Sequence, residues 1–216
     1  MRSVPLASSG CLLAIMLSCI CGSAAALPVD HALSFDGLTQ FVTIGDPVQV
    51  TDGPFTLEAW IWMASVTDVG NRILSNRHGD NGYMFYVWLV GGDTVYLSLA
   101  LNGTLVAYGT LTVPTQEWVH VAAAWTVTAS DKFIKLYANG LDITSAGYWP
   151  NPIAVTDQNL LIGKTIDGGF PFHGLIDDVR IWSVALDQAT IQAWMDRPVD
   201  PSHPNWSDLR AYWKFA

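Results

Sequence analysis

The chain has 216 residues, a formal net charge of −9 and only 13% charged residues against 50% hydrophobic ones. Its ten Lys and Arg residues form no basic run. A phosphate backbone requires clustered cations, so nucleic acid is excluded as a partner. An acidic, weakly charged surface fits an extracellular domain able to hold a divalent cation.

Residues 1–26 stand apart from the rest. Arg2 precedes an apolar run, CLLAIMLSCI (11–20), and the segment closes on Ser23-Ala24-Ala25-Ala26. A positive start, a short apolar stretch and a small-residue exit describe a secretory signal peptide, cleaved after Ala26. The run is too short to cross a bilayer, which takes about 20 apolar residues, so no membrane insertion is expected after cleavage. The expected localisation is secreted. All three cysteines, Cys11, Cys19 and Cys21, lie in this leader. The mature chain therefore has neither a disulfide nor a thiolate site, and at its length burial can hold it together. Met16-Leu17-Ser18 before Cys19 make a poor lipid-anchor site.

From Ala32 onward short apolar runs alternate with Gly, Asn, Asp and Pro. ALSFD (32–36) and QFVTI (40–44) flank Gly37. In FTLEAWIW (55–62), Phe55, Leu57, Ala59 and Ile61 point one way, and Thr56, Glu58, Trp60 and Trp62 the other. This period of two, rich in aromatic and β-branched residues, predicts a strand. Further strands are predicted at 72–76, 83–90, 94–100, 104–111, 117–127, 132–138, 159–163 and 174–184. Gly91-Gly92-Asp93, Asn102-Gly103 and Asn139-Gly140 supply hairpin turns, because Asn and Gly tolerate positive φ. One helix is predicted over Leu186–Met195, capped by Asp187, with Ile191 and Trp194 on one face. Residues 196–208 hold three prolines and read as a linker, and LRAYWKF (209–215) is again strand-like. About ten strands with regular turns predict an all-β, two-sheet antiparallel sandwich with one short helix near its C-terminal end.

The succession ALSFDGLTQFVTI, FTLEAWIW, EWVHVAAAW, KLYANG and FHGLIDDVRIWSVAL resembles a laminin G-like jelly-roll domain of the concanavalin A-like superfamily. The resemblance runs from Ala32 to Trp194, within a domain set at 27–195. It implies a jelly roll of two curved sheets, recognition of glycans or extracellular proteins, and often one calcium ion. Some relatives are glycoside hydrolases or lyases. The tail, 196–216, resembles the strand that opens such domains in tandem arrays. Two readings follow for it: the start of a truncated next repeat in a longer multidomain chain, or a strand that closes this sandwich.

A glycosidase usually needs two carboxylates about 5–10 Å apart. Beyond the leader there are two glutamates, Glu58 and Glu117, and no Glu-x-Asp-x-Glu cluster. Asp177 and Asp178 are adjacent and face opposite sides of a regular strand. Glu58 alone lies in a central strand, where Arg72 or Arg180 is its expected partner. His31, His78, His120, His173 and His203 accompany no nucleophile elbow and no His-x-x-x-His zinc pair. His120 is read as a packed or surface strand residue, and no catalytic residue is assigned.

Calcium takes six to eight oxygens, from carboxylates and carbonyls on turns. The resemblance places a ligand at Asp177, and Asp36 in the FDG turn is the second candidate. The competing readings are an Asx turn at Asp36 and amide capping, or pairing with Arg180, at Asp177. Ten tryptophans lie beyond the leader, most of them in strand patterns that predict burial. Trp149 sits in a proline-bounded loop, 147–152, beside Tyr148. With Asp80 and Asn81 in the loop 77–83 these are the candidate ligand contacts. Asn102 and Asn205 open Asn-x-Ser/Thr acceptor patterns for N-glycosylation. The residues thus point to a secreted recognition module for a glycan or an extracellular protein, with structural calcium. A glycan-degrading enzyme and an architectural repeat of an adhesin are the alternatives.

Overall fold

A strand whose alternate residues are apolar buries one face, so a chain of such strands stacks two sheets. The computed structural model describes residues 32–46, 48–50, 53–112 and 116–215. The leader assigned to residues 1–26 lies outside them. The strands are β1 (Leu33–Asp36), β2 (Val42–Thr43), β3 (Phe55–Met63), β4 (Asn71–Ser75), β5 (Tyr83–Leu89), β6 (Val95–Leu101) and β7 (Thr104–Leu111). They continue with β8 (Trp118–Val127), β9 (Lys132–Ala138), β10 (Leu141–Asp142), β11 (Thr144–Gly147), β12 (Leu161–Ile162) and β13 (His173–Trp182). A short helix, α1 (Gln188–Trp194), and a 3-10 turn (Trp206–Asp208) precede β14 (Leu209–Trp213).

The first sheet runs β1-β13-β3-β8-β9-β10, with β14 also on β13; the second runs β11-β7-β6-β5-β4-β12-β2. Each has seven strands. All pairings are antiparallel. This is the expected jelly-roll sandwich with one short helix. β1 covers residues 173–176 of β13 and β14 covers 179–182, so the two share one edge. The LRAYWKF stretch is thus paired into this sheet. The turns at Asn102-Gly103 and Asn139-Gly140 have positive φ at both residues (48° and 75°, 47° and 71°), as a two-residue type I′ hairpin demands.

The predicted alternation of β3 holds. Phe55, Leu57, Ala59 and Ile61 face the core with Val119, Val121, Ala123 and Trp125 of β8. Phe85, Val87, Leu97, Leu99 and Leu101 meet them from the second sheet. The other face of β3 is also covered, by the segment after β13. Thr56 Oγ1 donates to Val184 O (2.7 Å) and accepts from Leu186 N (2.8 Å), and Trp60 Nε1 donates to Met195 O (2.8 Å). Asp187 caps α1 by accepting from Thr190 N (2.8 Å), and Ile191 and Trp194 are its buried residues. Ala122, Ala124, Tyr137 and Trp182 pack there with Leu186, Ile191 and Val199.

Arg180, 1% exposed, ties this cover down. Its Nη1 donates to Trp194 O and its Nη2 to Arg197 O, both at 2.9 Å, and Nη2 lies 3.4 Å from Asp178. A cation on the last carbonyls of a helix also suits the helix dipole. Arg180→Ala leaves two carbonyls without their partner inside the fold and Asp178 with Tyr212 alone. Breaking a buried pair in this way costs about 3–5 kcal/mol. Urea unfolding is expected to show that loss; a change under about 1 kcal/mol, the size of an exposed pair, would mean other contacts hold the segment.

Candidate ligand-binding face

Glu58 was the one acid in a central strand, and its surroundings decide its role. It is 1% exposed, between His120 and Trp182, both at 0%. Trp182 Nε1 donates to Oε1. His120 Nε2 is 3.2 Å from Oε2 but too poorly aligned for a hydrogen bond, so the contact is an ion pair when His120 is protonated. Burial pushes the Glu58 carboxyl up, while His120, Arg180 and Trp182 together hold it below the ordinary range. Arg72, the other expected partner, lies on the second sheet. A general acid must touch its substrate, and Glu58 lies sealed beneath the segment after β13.

Asp36 and Asp177 do not share a site. Asp36 pairs with His173 and Leu33 with Ile176, so Asp177 lies four residues further along β13. That separation is roughly 13 Å at strand spacing, whereas oxygens around one calcium ion sit 2.3–2.6 Å from it. Asp36 Oδ1 accepts from Leu38 N (2.8 Å), Thr39 N (2.8 Å) and Gln40 N (3.1 Å). It is an Asx-type turn former, and those three N–H groups hold its carboxyl down at about 2. Asp177 Oδ1 caps Asp178 N (2.7 Å) and Phe215 N (3.1 Å), and burial pushes its carboxyl up. Between Asp177 and Arg180 the ladder with β3 bulges, Asp178 takes φ 48°, and its Oδ1 accepts from Tyr212 Oη (2.7 Å). Among the described residues no group of three or more His, Cys, Asp or Glu gathers as metal ligands. The pair therefore does not fit one calcium ion.

The loop candidates divide. Tyr148 bridges to Phe133, its N–H bonds Val106 O, and its side chain is 63% exposed. This continues the alternation of β11 and sends Trp149 inward onto the core, with its Nε1 buried. Trp149 is thus a packing residue, and Tyr148 is the exposed aromatic of its loop. Asp80 and Asn81 are exposed in a turn closed by His78 and Asn81. Asn102 clamps neighbouring loops: Oδ1 accepts from Ala154 N (2.8 Å) and Nδ2 donates to Pro152 O (3.0 Å). Glycosylation there would use the nitrogen of that clamp. Asn205 is half-buried just before the 3-10 turn.

The second sheet has an outer face that sequence reasoning did not single out. Opposite the core-facing Phe85, Val87, Leu97 and Leu99 lie Tyr86 and Trp88 of β5, Tyr96 and Ser98 of β6 and Tyr108 of β7. The register aligns Arg72, Tyr86, Ser98 and Tyr108 in one row, and Trp88, Tyr96 and Thr110 in the next. Trp88 and Tyr96 meet edge to face (6.1 Å), Tyr96 and Tyr108 stack (5.1 Å, 19°), and Trp88 Nε1 donates to Ser98 Oγ (3.0 Å). All four rings are half-buried, on three adjacent strands that span about 10 Å. Arg72 stands at the β4 end with its guanidinium 4.3 Å from both the Tyr86 and Phe170 rings. Burial pushes it down to about 10, so it stays charged at neutral pH. The signal was present in YMFYVWLV and TVYLSLA, where the residues alternating with the core set are aromatic.

Residues 36–192 match a laminin G-like model of the concanavalin A-like lectin/glucanases superfamily. Over 168 residues the chain is 27% identical to adhesion G-protein coupled receptor V1 of Danio rerio, covering 73% of this chain and 3% of the receptor. A carbohydrate binding protein from Bacteroides ovatus, so described as putative in its own name, superimposes with a TM-score of 0.60 at 25% identity over 85% of this chain and 52% of that one. A heptameric SAP-like pentraxin from Limulus polyphemus gives a TM-score of 0.61 at 18% identity, over 88% and 94% of the two chains, a likeness of fold. The chain spans about half of the Bacteroides protein and a small part of the receptor.

Two outcomes test the assignments above. Thermal unfolding is expected to be the same with calcium and with excess EDTA. A calcium-dependent rise lost in Asp177→Ala would put an ion at Asp177, since ligand at 100 times its dissociation constant adds about 2.7 kcal/mol. Asp36, with its folded pKa depressed, contributes stability above its unfolded value of 3.8 that is lost as pH falls through about 2. Its carboxyl resonance is expected to titrate near 2; a midpoint near 3.8 would break the turn assignment.

Proposed function

The chain belongs to the concanavalin A-like lectin/glucanases superfamily, and from that premise we propose a secreted, non-catalytic module that binds a glycan on the outer face of its second sheet. The observation that carries this is the row of half-buried rings, Tyr86, Trp88, Tyr96 and Tyr108, on a face that the α1 segment leaves alone. A pyranose offers an apolar C–H face ringed by hydroxyls. Aromatic faces take the first, and Thr110 and the Tyr hydroxyls suit the second. The likeness to a Bacteroides protein named for carbohydrate binding supports the same reading. Secretion rests on the leader in residues 1–26; among the described residues no helix is long and apolar enough to cross a membrane. A non-catalytic role rests on Glu58, whose oxygens are taken by Trp182 and His120 out of reach of a substrate.

A second reading, docking of an extracellular protein, is favoured by the likeness to a stretch of an adhesion receptor and by the exposed Tyr148. The test between them is binding of the purified mature domain to a panel of soluble oligosaccharides and polysaccharides by calorimetry. Trp88→Ala is expected to weaken binding at least tenfold, about 1.4 kcal/mol, with an unchanged unfolding curve. A folded Trp88→Ala that binds as tightly as the parent would remove the face from the proposal. No binding to any glycan would leave the protein-docking reading. Release of reducing ends from a bound polysaccharide would return the enzyme.

A further inference from the structure

Arg72 carries more than the aromatic row explains. The strands of the second sheet read TSAG, TLVAYGTL, VYLSLAL, YMFYVWL, NRILS, LI and VT, and Arg72 is their one charged residue. The chain has 19 Asp and Glu residues, and none falls on this sheet. Arg72 is 6% exposed, yet its Nε and Nη1 are buried without a hydrogen-bond partner. Its Nη2 makes no hydrogen bond among the described residues either and is not one of the buried nitrogens, so it is the edge of the guanidinium open to solvent. The Asp167 carboxylate lies close enough to favour the Arg72 charge, but accepts from Thr165 and Gly169 instead. Arg77, at the far end of β4, likewise has a buried, unpaired Nε and only a Met84 sulfur as partner. At Gly70 a Cβ would sit 2.5 Å from Arg72 Nη1, so the guanidinium packs where only a glycine leaves room for it.

Buried donors cost free energy until they are paired, and stacking on Tyr86 and Phe170 fixes the plane of the guanidinium without pairing its N–H groups. The open Nη2 edge, held in that plane, can give a carboxylate one charge-assisted hydrogen bond. Resting on the glycan reading above, we infer that the ligand is an acidic glycan, with the carboxylate of a uronic or sialic acid held by Arg72 while the sugar ring lies on the neighbouring aromatic rings. The net charge of −9 disfavours acidic polymers in general, so selection for one requires a local cation on an acid-free face.

The test is calorimetric binding of the mature domain to paired ligands. These are an oligouronate and its carboxyl-reduced neutral form, a sialylated oligosaccharide and its desialylated form, and a sulfated, uronate-free polysaccharide. The parent is expected to bind one carboxylated member at least 30-fold more tightly than its neutral partner. Arg72→Gln is expected to bring the two within threefold while keeping the affinity for the neutral form, which a purely structural arginine would not do. Arg72→Lys keeps the charge and loses the donor plane fixed by the Tyr86 and Phe170 rings, so it is expected to keep under a tenth of the preference; it serves as the second variant if Arg72→Gln does not fold. Equal binding of acidic and neutral forms by the parent, with Trp88→Ala still abolishing both, overturns the inference and leaves the platform standing. Retained acid preference in folded Arg72→Gln overturns it too, as does tighter binding of the sulfated polymer. No binding of any ligand overturns both readings.

Discussion

Burying the guanidinium of Arg180 is the constraint on which the rest of the molecule depends. A fully charged group on the outer face of a sheet is normally left to water. Here it is sealed, so its hydrogen bonds must be met from within the protein. The partners are Trp194 O and Arg197 O, with Asp178 alongside. Two of these come from the end of α1 and the residues just beyond, so satisfying Arg180 draws the chain after β13 back across the first sheet. That return path then accounts for the capped helix, the His203 ring stacked on Trp182 (4.4 Å), and the placement of β14 on the far half of β13.

A two-sheet sandwich has two outer faces, and the Arg180 network uses up one. Thr56, Glu58 and Trp60 of β3, which a single-sheet view would leave pointing outward, become a second interior. The polar groups of the first sheet serve this cover: Glu58 meets Trp182 and His120, and Asp178 meets Arg180 and Tyr212. On the second sheet the outward residues include the rings of Tyr86, Trp88, Tyr96 and Tyr108, with Arg72 the one charged residue. On the proposed reading, stability and recognition therefore reside on different sheets. Substitutions at Trp88 or Tyr108 touch little that holds the first sheet together, and substitutions at Arg180 touch no ring of the platform.

Much of this was legible in the sequence because strand alternation is a local property. The two faces of β3, the Asn-Gly hairpins, the Asp187 cap and the buried Ile191 and Trp194 all follow from neighbours in the chain. What was not legible depends on contacts across the chain. Trp149 read as exposed because prolines flank it, yet the Phe133–Tyr148 bridge sets the alternation and turns it inward. Asp177 and Asp36 read as the first and second candidate ion ligands, but only the β1–β13 register gives their separation. Arg72 and Arg180 were equivalent partners for Glu58 on paper, and they sit on different sheets. The aromatic row was written in YMFYVWLV and TVYLSLA, but its outward position carries meaning only once the other sheet is known to be covered.

The two arginines make the difference between structure and recognition concrete. Both are more than nine-tenths buried, so both gave up hydration on folding. Arg180 regained most of it in the same step, through two carbonyls and a carboxylate that the folded chain supplies, with its Nε left unpaired. Arg72 received two aromatic rings, which offset the charge but accept none of its fork of hydrogen bonds. A group left in that state lowers the stability of the free protein and raises the affinity for whatever completes it, since the desolvation has already been met before the ligand arrives. On the proposed reading the open Nη2 favours an anion over a hydroxyl, because a charge-assisted hydrogen bond is the stronger of the two. The same reasoning explains why the acid-free composition of the second sheet matters: a single Asp or Glu on β5 in place of Tyr86 would pair with Arg72, restore the missing stability and close the site.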